Sequence, residues 1–227
     1  MTHRSSIALV ASVAMSLLPA IAQAQVMFSN FGPSQSYNPD GGNFVGNAFD
    51  GNNYAESGAF TPLFTGALSS LDIALSLPNG APNTGLIINI QDDLGGQPGA
   101  IETSILVTDI SSLQATGGNN SPLVVDASLG SHPGVELTAL TQYWLTVSAV
   151  DSSDSYTWNW NTVGDPSPEA ISTDGGASWF SPSGLTPGAF EVDATAVPEP
   201  NYTFATALLL PFVMIYALRK SRKNQTA

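Results

Sequence analysis

The chain predicts an all-β fold, an antiparallel β-sandwich with jelly-roll-like topology. Three observations carry this. In Leu71-Asp72-Ile73-Ala74-Leu75-Ser76-Leu77 large apolar residues alternate with small or polar ones, which puts Leu71, Ile73, Leu75 and Leu77 on one face of a half-buried strand. Gly- and Pro-rich turn chemistry separates the apolar runs, and no internal stretch carries a capped helical stripe.

Taken in order, the weaker candidate strands are Val26 to Asn30 and Ala59 to Phe64. Clearer ones follow at Leu71 to Leu77, Leu86 to Gln91, Ser104 to Ile110, Leu123 to Asp126, Tyr143 to Val150, Tyr156 to Asn161 and Ala189 to Ala194. Pro78-Asn79-Gly80, Gly95-Gly96-Gln97-Pro98-Gly99 and Asp174-Gly175-Gly176 supply the positive and fixed φ values that tight reversals need. The strand order is not legible.

Both ends of the chain differ from its body. Arg4 precedes an apolar stretch from Ile7 to Ile21, and Ala22-Gln23-Ala24 fits the small-x-small rule of signal-peptide cleavage. Residues 1–24 are expected to be a signal peptide, cut between Ala24 and Gln25. At the other end Val197-Pro198-Glu199-Pro200 precedes an apolar run from Tyr202 to Leu218, and Arg219, Lys220, Arg222 and Lys223 follow. At 1.5 Å per residue the run gives about 26 Å of helix, just enough to cross a bilayer core. Pro211 invites a kink that lipid-embedded helices tolerate. The basic cluster stops the segment and leaves residues 219–227 in the cytoplasm, with everything before Val197 outside.

This order of Pro-Glu-Pro, membrane-length helix and basic end resembles the PEP-CTERM sorting signal of exported Gram-negative surface proteins. The resemblance implies passage through the Sec translocon, signal peptidase cleavage, transient anchoring in the inner membrane and processing by an exosortase near Pro198-Glu199-Pro200. The expected destination is the cell surface or the exopolysaccharide matrix. The alternative is a plain single-pass anchor.

The body, residues 25–196, has an unusual charge balance. All five basic residues of the chain lie in the terminal segments, so the body has no Lys or Arg, yet it holds all but one of the eighteen Asp and Glu. Ordinary salt bridges are therefore impossible within it, and its carboxylates must be solvated, hydrogen-bonded, protonated or bound to cations. Nucleic acid is excluded as a partner, because its binding relies on Lys and Arg at phosphates. No cysteine is present, so no disulfide helps the core.

Parts of the body are similar to the choice-of-anchor R domain. These are Ala59-Phe60-Thr61-Pro62, Asp92 to Ala100, Leu137 to Leu145 with its Tyr143-Trp144-Leu145 strand start, and Tyr156-Thr157-Trp158. The likeness covers roughly residues 45 to 195. It implies an exported β-rich domain with no assigned chemistry.

Four kinds of candidate chemistry remain. His132 lies beside Ser131, but Gly130-Ser131-His132-Pro133-Gly134 reads first as a turn, and no nucleophile elbow is present. Paired carboxylates could hydrolyse a glycosidic bond, so a secreted glycosidase or esterase is one alternative. Oxygen-rich loops could hold a structural calcium, with Asp50, Asn52, Asp92, Asp93, Asp151 and Asp154 as the ligands expected. Tyr156, Trp158 and Trp160 share one strand face and could stack on a sugar ring, as in a carbohydrate-binding module, or form a wall of the core. The expectation is a structural or adhesive surface protein without enzymatic activity and with no cofactor beyond that calcium.

Overall fold

The computed structural model describes residues 23–47, 51–78, 83–118 and 121–197. The chain divides into one unit ending at Ala196 and a second beginning at Val197, of which only Val197 is described. Ala22, Asp50, Pro198, Glu199, Pro200, the apolar run 202–218 and Arg219, Lys220, Arg222 and Lys223 lie outside the described residues.

The described body is all-β. Its strands are β1 (Ala24–Ser29), β2 (Gly42–Asn47), β3 (Asn53–Phe60), β4 (Gly66–Ile73), β5 (Leu75–Ser76), β6 (Leu86–Asp93) and β7 (Pro98–Val107). They continue with β8 (Leu123–Asp126), β9 (Glu136–Leu137), β10 (Tyr143–Ala149), β11 (Ser155–Asn159), β12 (Glu169–Ser172) and β13 (Phe190–Ala196). One sheet has the order β1-β13-β4-β8, with β9 also on β4. The other runs β5-β11-β2-β3-β10-β6-β7, with β12 also on β3. Every ladder is antiparallel.

Alternation places the core between the sheets. Leu71, Ile73, Phe190 and Val192 from the first sheet meet Phe60, Ile88, Ile90, Leu145, Tyr156 and Trp158 from the second. At Ala74 the chain leaves β4 and enters β5, so the run from Leu71 to Leu77 is a corner between two sheets rather than one strand. Leu71, Ile73 and Leu75 still reach the same core. Leu68 and Leu71 are three residues apart and both buried; the shift in register opposite Asp193 and Ala194 absorbs the extra residue, Ser69.

An aromatic knot replaces the cross-links that this composition forbids. Phe28 lies 5.0 Å from Phe190, Phe60 lies 5.9 Å from both Phe190 and Tyr143, and Trp158 meets Phe190 edge-on at 5.7 Å. Such pairs add about 0.5–1.5 kcal/mol each beyond their area. Gly188 is required beside them, since a Cβ there would lie 2.3 Å from the Trp158 indole.

The two ends of the body are neighbours. β1 and β13 pair antiparallel, with Ala24 opposite Thr195 and Gln25 opposite Ala194. β13 is flanked by β1 and β4 along its length, and Ala196 is its last residue.

Candidate functional site

The aromatic row was expected to offer either a sugar platform or a core wall. The structure overturns the platform: Tyr156 and Trp158 on β11 are 0% and 1% exposed, and no ligand can reach their faces. The Tyr156 hydroxyl donates to the Gly85 carbonyl at 3.1 Å and accepts from the Gly85 amide at 3.0 Å. Burial pushes its pKa up to about 12, and nearby Asp154 adds to the shift. Trp158 donates its indole N–H to the Ala189 carbonyl at 3.1 Å. The physical reason is size: rings this large give the greatest burial, and the inner face of β11 supplies it. Trp160 is half-buried and has a different task.

That task leads to a buried carboxyl pair that sequence reasoning missed. β12 pairs with β3 so that Glu169 stands opposite Gly58 and Ile171 opposite Glu56. Glu56 and Gly58 share a face by the two-residue period, so Glu169 and Glu56 meet diagonally on it. Glu56 is 2% exposed and Glu169 5%. Asn43 on β2 donates its amide to Glu169 Oε1, and Trp160 Nε1 donates to Asn43 Oδ1 at 2.8 Å. The indole thereby fixes which way the Asn43 amide points.

Neither Glu56 Oε2 nor Glu169 Oε2 has a donor partner, and the body has no Lys or Arg to provide one. Burial raises both carboxyls above their ordinary value; at Glu56 repulsion from Glu169 raises it further. The pair therefore holds a proton in common where isolated acids would be ionised. Paired carboxyls are acid–base machinery when a substrate can sit between them, but these two are closed off by β2, β3 and β12. Their chemistry here is a titratable clasp between strands. A lone acid within the uncharged stretch Tyr54-Ala55-Glu56-Ser57-Gly58-Ala59-Phe60 was the one signal available.

Of the acids expected to hold calcium, Asp92, Asp93, Asp151 and Asp154 are each engaged in hydrogen bonds within the fold. Asp92 accepts from the Ala100 amide. Asp93 accepts from Trp144 Nε1 at 2.8 Å, Gln142 Nε2 at 2.7 Å and the Gly96 amide at 3.2 Å, and the indole bond most of all lowers its pKa. Asp151 closes a turn onto Ser153 at 2.8 Å. Asp154 is buried and accepts from Thr84 through the amide at 2.9 Å and the hydroxyl at 2.7 Å. Asn52 donates to the Tyr54 hydroxyl at 3.4 Å. Among the described residues no three His, Asp or Glu side chains converge.

His132 is exposed, with Nδ1 3.3 Å from Ser131 Oγ. Ser131 accepts from the Ser104 amide at 3.0 Å, and the His132 amide donates to Thr103 Oγ1 at 3.2 Å. Their evident role is to tie this turn to β7. Compared with known proteins, the chain matches no family model and no curated sequence.

Proposed function

We propose that this is an exported surface protein whose acidic β-sandwich, of jelly-roll type, is delivered by its C-terminal tail to the envelope or the exopolysaccharide, where it has a structural or adhesive role rather than an enzymatic one. The observation that carries the reading is how the body closes. β13 is an interior strand paired on both sides, its last residue is Ala196, and Val197-Pro198 follows at once. Among the described residues, both ladders of β13 are complete by Ala196. At the start of the body, cleavage after Ala24 would remove one terminal pair, Ala24 with Thr195, and leave the β1–β13 ladder from Gln25 onward.

An exosortase acting at Pro198-Glu199-Pro200 would thus release a folded domain with no Lys or Arg. Intact-mass measurement of the cell-surface form tests this. The expected product starts at Gln25 and ends near Pro200. A product that retains Arg219 to Lys223 sinks it in favour of a plain anchor.

A further inference from the structure

Among the described residues β7 and β8 are the terminal strands of their sheets, and they face each other across an open seam. The seam encloses about 480 Å³. Around it stand Leu106, Val124 and Leu129, which are 57%, 69% and 70% exposed. Large apolar side chains grouped at a sheet edge mark an interaction surface more often than single ones do. The edge of β7 is capped at one point: the Ser104 carbonyl accepts from the Ser131 amide at 2.8 Å, and its amide donates to Ser131 Oγ. By the two-residue period the amide and carbonyl of Leu106 point the same way, into the seam.

Charge decides among occupants. Asp109 and Asp126 also line the seam. Ser111 holds the Asp109 carboxyl below its ordinary value and Ser128 does the same for Asp126, so both stay ionised into acid pH. A second copy of the body would bring more carboxylates and no cation to meet them.

We infer that the β7–β8 seam takes an extended peptide segment of a partner protein, with apolar side chains alternating with Lys or Arg, as a strand added beside β7. Its backbone would pair with the free groups of Leu106, its apolar side chains would cover Leu106, Val124 and Leu129, and its cations would meet Asp109 and Asp126. This does not depend on how the chain is sorted.

Fluorescence anisotropy with the full chain in neutral detergent tests it, using three labelled octapeptides of alternating Val-Lys, Ser-Lys and Val-Glu. The Val-Lys peptide should bind at least tenfold more tightly than either other. The Leu106→Ser/Val124→Ser variant should lose at least tenfold in affinity with an unchanged melting curve. Should that variant unfold, Asp126→Asn, which keeps the local turn, should weaken binding severalfold, and hydrogen exchange at the Leu106 amide should slow on peptide addition. Equal binding of the Ser-Lys peptide would reduce the effect to bare acidity and overturn the proposal, as would unchanged affinity in the variants. Failure of all three peptides to bind overturns it as well.

Discussion

Strand β3 is buried on both faces, and the two faces are built differently. Its inner face presents Glu56, Gly58 and Phe60 to the main core, where Gly58 leaves room for Phe190 and Trp158. Its outer face presents Ala55, Ser57 and Ala59 to a second, smaller core with Trp144, Ala170 and Trp179. The inner side is an aromatic knot with one acid pair at its edge. The outer side is a polar net: Ser57 Oγ lies 2.8 Å from Thr146 Oγ1, which donates to Gln91 Oε1 at 2.6 Å. Without salt bridges, rings hold one face and neutral hydrogen bonds the other.

Substitutions can break that comparison. Trp158→Ala should have the largest effect, a loss of about 3–5 kcal/mol in urea unfolding, since a fully buried indole is replaced by a cavity. Glu56→Gln comes next and acts with opposite sign. Both glutamates are raised above their ordinary value of 4.5, so the folded state holds protons that the unfolded chain releases. The associated stability is complete below about pH 4.5 and is lost as pH rises towards the folded-state values, by at most about 1.4 kcal/mol per pH unit and proton. Wild type should therefore be less stable at pH 8 than at pH 5, and Glu56→Gln should flatten that slope and be more stable at pH 8 by about 1–3 kcal/mol. An identical slope in wild type and variant would show that the pair does not share a proton.

On the outer face Trp179→Ala should cost about 1–2 kcal/mol, because this ring is only partly buried and little packs behind it. A cost equal to that of Trp158→Ala would make the two cores one cooperative unit. Ser57→Ala is the smallest, about 1 kcal/mol by the same unfolding measurement, and a loss above that would mean that the net is cooperative.

These two faces also explain what was legible beforehand. β6 and β10 stood out as runs of large apolar residues, and the glycine turn before β7 was evident, with Gly95 and Gly96 at positive φ. β3 was read as Ala59 to Phe64 rather than Asn53–Phe60, because burial on both faces with small residues leaves no alternation to see. β2 and β12 were missed, the first for its glycines and the second because Glu169-Ala170-Ile171-Ser172 carries a single large apolar residue. The Glu56–Glu169 clasp needs a strand register that no single sequence displays. Tyr156 and Trp158 were placed on the right face, but alternation cannot say whether that face is wet or dry.

The pairing of Ala24 with Thr195 has one more consequence. Adjacent strands lie about 4.8 Å apart, so a few residues could join the last strand to the first. The body is in effect a closed circuit that happens to be cut there, and a cut at the exposed turn of Gly164, between β11 and β12, would leave every ladder in place. A circularly permuted domain should fold as this one does, with its new ends emerging far along the chain from the present ones.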